Sequence, residues 1–565
     1  MGNDGSQLVS SALAYSPLFA ALDGRERSRL ESIGTKVEAA AGSALFRQGD
    51  DGDCMYVVVS GLLEALYEDP PPARVVRTLR RGDVIGELAI VCDMTRSATV
   101  RAVRDCELWR VGRPEVEALL RGNPDFAVAL TRLLGERVRS APPPQVSSRP
   151  PIPSVIAVIA VPPVEPETFT RYLAREMGRD RKVACLGRYA DPSAWPRRVD
   201  AAEQTGSAVL LSAIASDGDG GDWARFCARE ADRVAVLAAI SAEPRRAAPA
   251  LPAGCDLVLG GRGHNDRIHA WTTSLAPRAH HIVDASWADG AAMARAARRV
   301  SGRAVGVVLS GGGARGLAHI GVLAALADAG LVIDRVGGTS MGAFVASLAA
   351  RDLSPSEVLA ACRSELVEQK PFNDYTAPKV ALLRGKKARA MLKRLHGDVH
   401  IGELPKGFFC VSADIVTAEA VTHRRGRVVD AVAASMSLPG LAPPMVMDGR
   451  ILVDGGVVQN LPVRAMQDEG QGPVVAVDVS ATRARATGGP PSIVETLTRA
   501  TMLGSRRAAA QDRMQADAVI RPLVEDVGLM DFSRIDTLVA AGRRATEAAI
   551  EAARPGSVLN PRALP

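Results

Sequence analysis

Twice in its second half the chain runs an apolar strand into a glycine cluster and out again into an apolar helix. Residues 304–310, AVGVVLS, lead to Gly311-Gly312-Gly313-Ala314-Arg315-Gly316 and then to a helix from Leu317. Residues 331–336, LVIDRV, lead to Gly337-Gly338-Thr339-Ser340-Met341-Gly342 and then to AFVASLAA. A short, fully apolar strand must be covered on both faces, and a helix following it directly supplies that cover. The pattern therefore commits this region of the chain to a parallel α/β sheet.

The rest of the 565 residues divides around a second feature. Residues 141–154, APPPQVSSRPPIPS, hold six prolines, which exclude regular structure and favour an extended spacer. Near Gly302 a basic helical stretch gives way to the apolar run that opens the C-terminal region. The expected organisation is 1–140, a linker at 141–153, an α/β unit at 154–300 and a second α/β unit at 301–565. In the N-terminal region, residues 55–60 followed by Gly61 read as a strand, Asp69-Pro70-Pro71-Pro72 as a hairpin loop, and 115–121 and 126–139 as helices. In the middle region apolar and amphipathic runs alternate at 155–161, 167–177, 182–186, 207–214, 222–231 and 233–239, which predicts parallel βα units.

Composition narrows the classes. Apolar residues make 47% and charged residues 23%, which is ordinary globular usage. A surplus of +6, from 69 basic against 63 acidic residues, is a poor footprint for nucleic acid, and no nucleic-acid partner is expected. Residues 431–447 are uncharged, but Pro439, Gly440, Pro443 and Pro444 break them, and they are too short for a membrane span. The start, MGNDGSQ, lacks a basic region and apolar run, so no secretory signal is expected; Gly2 and Ser6 fit the short myristoylation pattern. The 8 cysteines are scattered without a CxxC pair, which points to a cytoplasmic chain with buried structural thiols and no metal site.

Residues 82–100, GDVIGELAIVCDMTRSATV, carry the chemistry of anion recognition. Gly86 permits a tight entry, Glu87-Leu88-Ala89 can open a short helix whose first N–H groups face an anion, and Arg96 offers a planar fork to phosphate oxygens. Glu87 is placed to accept a sugar hydroxyl. This stretch resembles the phosphate-binding cassette of cyclic-nucleotide-binding domains, and the resemblance extends over about residues 16–138. It implies a β-roll with helices that binds cAMP or cGMP, with Gly86 and Leu88 in the cassette backbone, Glu87 on the ribose 2′-hydroxyl, Arg96 on the cyclic phosphate and Ser97 adding a hydroxyl. Nothing in the residues chooses between the two nucleotides.

The middle region holds three decoys. Val155–Val161 ends in Pro162-Pro163-Val164-Glu165, where a nucleotide-binding βα unit would carry glycines and a lysine; it weakly resembles a degenerate partition-ATPase-like unit without a P-loop. Asp217, Asp219 and Asp222 suggest a calcium loop, but its twelfth place is Ala228, so a polar turn is expected. His280 and His281 are neighbours on a strand and point to opposite faces, which makes them poor co-ligands.

A pair of motifs competes in the C-terminal region. Gly311, Gly313 and Gly316 spell GxGxxG between strand and helix, with Asp334 18 residues beyond, as in dinucleotide-binding units. Against this, Gly338-x-Ser340-x-Gly342 has the form of a nucleophile elbow, in which small neighbours let the chain turn and leave the serine hydroxyl exposed. Such a serine needs a base. His319 reads as helix packing, His423 lies in a basic turn, and His396 and His400 flank another turn. The better partner is Asp454, which Ile451-Leu452-Val453 deliver to Gly455-Gly456.

GGGARG, GTSMG and DGG in that order resemble the signature of patatin-like phospholipases. The longer runs AHIGVLAALADAG, ASMSLPGLAPP and ILVDGGVVQNLP resemble the bacterial relatives of neuropathy target esterase. The resemblance implies a C-terminal α/β patatin-like hydrolase domain with Ser340 as nucleophile, Asp454 as general base, and an oxyanion hole from the N–H groups of Gly311, Gly312 and Gly313, steadied by Arg315. No catalytic cofactor is implied. The substrate class is lysophospholipid or phospholipid. An alternative from another class is a cyclic-nucleotide sensor whose lipase-like domain is an inert scaffold.

Without a span, lipid is reached from the surface, peripherally on the inner face of the membrane. Residues 383–396, LRGKKARAMLKRLH, hold six basic residues and no acid, with Ala388, Met391, Leu392 and Leu395 at helical spacing. The first reading is a packed helix with a solvated basic face; a helix lying on anionic headgroups is the alternative.

Overall fold

The computed structural model describes residues 32–560 apart from 41, 68–73, 104, 141–151, 189–190, 216–218, 245–250, 253, 262–264, 378, 481–495 and 497–499, with a few positions between 13 and 25. Most of the proline spacer, the 69–72 hairpin loop and the N-terminal Gly2 and Ser6 lie outside the described residues. The chain forms two compact units, residues 1–159 with 184–234 and residues 160–183 with 235–565.

The first unit contains a β-roll of two four-stranded antiparallel sheets. One runs Thr35–Ala39, Cys106–Gly112, Cys54–Ser60, Val84–Ile85; the other runs Ala44–Phe46, Thr99–Ala102, Leu63–Tyr67, Arg74–Leu79. The Cys54–Ser60 strand shows why the sequence chooses this arrangement. Val58 packs with Leu63, Leu79 and Val100 between the sheets. Its neighbours Val57 and Val59 face Val116, Phe126 and Leu130 of the helices Arg113–Gly122 and Pro124–Ser140. A strand apolar on both faces thus has two covers, as period-two geometry demands. The βα alternation read in the middle region is also present. Val155–Ala160, Val183–Leu186 and Ala208–Ile214 are strands with the helices Trp195–Gln204 and Asp219–Glu230.

The second unit carries the strands Arg233–Ala239, Asp256–Gly260 and Ala279–Val283 in parallel. On the last of these, His280 bonds the Gly402 carbonyl at 2.9 Å while His281 lies 3.5 Å from Asp256. The larger sheet of this unit runs Met445–Met447, Arg450–Asp454, Gly407–Asp414, Ile333–Thr339, Val305–Leu309, Val474–Val477, Ala518–Ile520, with Ala420–His423 also paired to Gly407–Asp414. From Gly407–Asp414 to Ala518–Ile520 the strands are parallel; the flanking pairs are antiparallel.

Alternation again divides the core. Val307, Leu309, Val475 and Val477 face the helices Ala318–Asp328, Met341–Ala350 and Ile535–Glu551. Val308, Val474, Ala476, Phe409 and Val411 face Leu461, Val463, Met466 and Ala509 on the other side. Both strand–glycine–helix passages therefore end at the same edge of one parallel sheet, where such folds place their sites. The cysteines follow expectation only in some positions: all are free, six are buried, but Cys92 and Cys185 are exposed. Among the described residues no helix is long and apolar enough to cross a membrane.

Candidate active site

Ser340 joins the Ile333–Thr339 strand to the Met341–Ala350 helix with φ 57° and ψ −124°, a conformation a non-glycine residue holds only when its surroundings enforce it. The enforcement is close packing onto the neighbouring strand. A Cβ at Gly338 would lie 2.3 Å from the Leu309 carbonyl oxygen, and one at Gly342 would lie 2.2 Å from the same atom. No side chain fits at either place, which is the physical content of GxSxG here. The Ser340 N–H donates to Ser435 Oγ at 2.9 Å, and the Ser435 hydroxyl donates to the Val411 carbonyl at 2.6 Å.

Asp454 ends the Arg450–Asp454 strand opposite Ser412 of the Gly407–Asp414 strand. Its N–H donates to the Ser437 carbonyl at 2.8 Å, and its Oδ1 accepts the Gly456 N–H at 2.8 Å. Ser340 lies near enough to this carboxylate to favour its charged form, and both residues line the same cleft. Burial raises its pKa to about 6, against the lowering effect of nearby Ser340 and of the Gly456 N–H.

The histidines have other partners. His319 bonds the Ser310 carbonyl at 2.8 Å, His396 the Ser347 hydroxyl at 3.1 Å and His423 the Ser412 hydroxyl at 2.7 Å. Burial lowers the pKa of His319 and His396 to about 4 and also lowers that of His423. Among the described residues no histidine lines the cleft that holds Ser340 and Asp454.

The glycine loop lies beside the serine: a Cβ at Gly311 would come within 3.0 Å of Ser340 Cβ. Gly312 and Gly313 head the 3-10 helix Gly313–Leu317, where N–H groups have no partner within the helix. The Gly311 N–H is turned to the Asn460 carbonyl at 3.3 Å. Gly313 has φ +55°, and a Cβ there would meet the Leu529 carbonyl at 2.3 Å. Arg315 donates from Nε to the Val527 carbonyl at 2.7 Å, tying the loop to residues more than two hundred positions away. The dinucleotide reading fails on Asp334. That carboxylate is fully buried and held in a fork by Arg298 through two bonds of 2.8 Å, so it is closed to a ribose.

Ser340 and Asp454 open into a cleft of about 220 Å³ whose walls are mainly apolar, with Met341, Phe372, Leu392, Met436, Leu438 and Phe532 among them. The basic helix forms as read, Lys386–His396. Met391 and Leu392 belong to the domain core, so its apolar stripe is occupied inside the protein and the packed reading holds. Its cations remain exposed.

In the first unit, Gly86 has φ 84° and caps the short helix Glu87–Val91, and Arg96 is brought against it. The guanidinium is only 3% exposed. It donates to the Cys54 carbonyl at 2.8 Å and the Gly86 carbonyl at 3.2 Å, and lies 4.3 Å from the centre of the Phe46 ring. Glu87 is buried in the same cassette, and Leu88 and Ser97 are half-buried.

Ser435, Ser437 and Asn460 are site residues that sequence reasoning passed over. The two serines lie in the run ASMSLPGLAPP and the asparagine in ILVDGGVVQNLP, but their roles depend on backbone groups from distant strands. Phe532, on the cleft wall, lies nearly two hundred residues beyond Ser340.

Residues 307–466 match the family model described as patatin-like phospholipase, and residues 36–123 match that of the cyclic nucleotide-binding domain. An N-terminal β-roll with a C-terminal patatin domain defines a lipid-hydrolysing esterase that also carries a domain of the cyclic nucleotide-binding fold. An uncharacterised NTE family protein of Mycobacterium tuberculosis is 32% identical over 96% of this chain and 96% of its own length. The lysophospholipase NTE1 of Coccidioides immitis is 25% identical over 90% of this chain and 40% of its own. Patatin-like phospholipase domain-containing protein 6 of Pongo abelii is 29% identical over 79% of this chain and 37% of its own. The chain belongs to the NTE family.

Proposed function

We propose that this protein hydrolyses the acyl ester of lysophospholipids through a Ser340–Asp454 dyad. The observation that carries the reading is that Ser340, held at a strained strand-to-helix turn, and the buried Asp454 carboxylate line one mainly apolar cleft that no described histidine enters. The Asp454 carboxylate takes the Ser340 proton as Oγ attacks the ester carbonyl, and the tetrahedral intermediate's oxyanion is received by the N–H groups of Gly312 and Gly313, with Gly311 beside them. Collapse expels the glycerol oxygen, which takes the proton from Asp454 and leaves an acyl-Ser340. Asp454 then draws a proton from water, the water attacks the acyl carbon, and the fatty acid departs as the proton returns to Ser340.

The apolar lining supports an acyl chain as the group bound, and the modest volume favours a single chain. The lysophospholipase name of the fungal relative points to the same substrate class. In the N-terminal domain, Gly86, Glu87, Leu88, Arg96 and Ser97 form the cyclic-nucleotide site, and nucleotide binding regulates hydrolysis through the proline spacer. The enzyme works from the cytoplasm and meets lipid at the membrane's inner surface.

A lipid hydrolysis panel with Ser340→Ala beside the parent tests the central claim, with and without cAMP and cGMP. The parent releases fatty acid from lysophospholipid and Ser340→Ala does not; equal release by both would overturn the dyad. Calorimetric binding of neither nucleotide would overturn the regulatory site.

A further inference from the structure

We propose that Arg384 and Lys386 form the subsite that receives the phosphate of a single-chain phospholipid in the Ser340 cleft. The inference rests on the hydrolase reading above and identifies what that cleft recognises besides the chain.

Three cations line the mainly apolar cleft, Arg384, Lys386 and Arg389, together with the carboxylates of Asp374 and Asp454. Arg389 is neutralised by an ion pair with Asp430. Arg384 and Lys386 have no ion pair among the described residues. The nearby carboxylate is Asp374, whose Oδ2 accepts the Lys387 N–H at 3.1 Å. With Arg389 paired, the exposed Arg384 and Lys386 outnumber the Asp374 carboxylate here, leaving the lip net positive beside apolar walls.

The backbone beneath them is fixed. Leu382 and Leu383 donate to the Gly440 and Leu441 carbonyls at 3.0 and 2.9 Å, and the Arg384 N–H donates to the Asp374 carbonyl at 2.9 Å. Three successive residues are thus anchored, two of them to the segment that also supplies Leu438 and Leu441 to the cleft wall. A fatty chain alone has no use for this lip. A phosphodiester on the same molecule does: the arginine fork and the lysine ammonium together meet its two free oxygens. The apolar cleft then selects the chain and the lip selects the phosphate.

The test uses the full chain carrying Ser340→Ala, which retains substrate without turning it over. The probes are 1-palmitoyl-lysophosphatidylcholine below its micelle concentration and 1-palmitoylglycerol, which has the same chain and no phosphate. Adding Arg384→Gln with Lys386→Gln should weaken lysolipid binding at least tenfold relative to the glycerol ester. Lys393→Gln, an exposed cation of the same helix outside the cleft, should leave the ratio unchanged. Equal weakening toward both probes, or none, would overturn the subsite. So would a loss confined to lysolipid carried in anionic vesicles, which would assign the cations to the membrane surface. Binding by Ser340→Ala with no hydrolysis by the parent would overturn the hydrolase reading and leave the subsite standing.

Discussion

Asn460 and Gly311 hold each other twice: the Gly311 N–H donates to the Asn460 carbonyl and Asn460 Nδ2 donates to the Gly311 carbonyl, each at 3.3 Å. Asn460 Nδ2 also reaches Ser480 Oγ at 3.0 Å. A buried amide thus clasps the glycine loop to the segment that follows Asp454, setting the loop's distance from Ser340. Asn460→Ala leaves this loop without its side-chain clasp. The expected result is a fall in kcat of about 10- to 100-fold with a much smaller change in KM, since loose oxyanion donors affect the transition state more than substrate binding. Steady-state kinetics on lysophospholipid check it, and a loss in KM alone would contradict it.

Ser435 supports the elbow from behind. Its hydroxyl accepts from the Ser340 N–H and donates to the Val411 carbonyl. Ser435→Ala removes both bonds at a fully buried position and should lower stability by about 1–3 kcal/mol. Denaturant unfolding measures the loss, and Ser435→Thr should restore some of it.

In the proposed dyad Asp454 sets the pH response. Its folded pKa of about 6 lies above the ordinary aspartate value of 3.8, so the fold binds this proton more tightly than the unfolded chain does. Activity should fall about tenfold per pH unit below about 6, where the base is protonated. The stability effect has the opposite sense: the burial penalty is absent below about pH 4 and complete above about pH 6. Asp454→Asn should therefore be inactive yet more stable than the parent at pH 8, by roughly 3 kcal/mol, and no more stable at pH 4. Thermal unfolding at the two pH values checks the sign.

Gly342→Ala would put a methyl 2.2 Å from the Leu309 carbonyl oxygen and 2.6 Å from that of Ser310. The contact is with backbone of the adjacent strand, which cannot yield without opening the sheet. The variant should accumulate as insoluble protein or unfold at least about 3 kcal/mol more easily, as overpacking at rigid backbone does. Expression and melting against Gly504→Ala, a glycine with open space around it, test the claim.

Arg96→Ala should both abolish cyclic-nucleotide binding and weaken the N-terminal domain, because the buried guanidinium already holds the Cys54 and Gly86 carbonyls. Calorimetry with cAMP and cGMP gives the first readout and limited proteolysis of residues 32–140 the second. A variant that melts normally while losing nucleotide would separate the two roles.

Much of the fold was legible because it depends on local patterns. The apolar run 155–161 is the strand Val155–Ala160, and 233–239 is Arg233–Ala239, since β-rich runs between helical periods leave little choice. The basic stretch 383–396 shows the limit. Its helix was readable, but whether its apolar stripe faced lipid or protein depended on Met391 and Leu392 finding a core built from other segments. The sequence offers Arg96 as a candidate anion binder, but its inward bonds to Cys54 and Gly86 depend on a strand forty residues upstream and could not be read from it.

The sequence alone determined the elbow, because a serine between Gly338 and Gly342 after a strand has few geometries open to it. It also determined the order of the motifs and the alternation that separates the two faces of each sheet. Only the tertiary structure decided which carbonyl makes those glycines obligatory, that Asp454 and no described histidine shares the cleft with Ser340, and that Asn460 and Ser435 bond the glycine loop and the elbow. The reason is the range of the forces. Backbone sterics and periodicity act over a few residues and are written in the local sequence. Burial, and the hydrogen bonds that buried groups must find, depend on what the folded chain brings from far away.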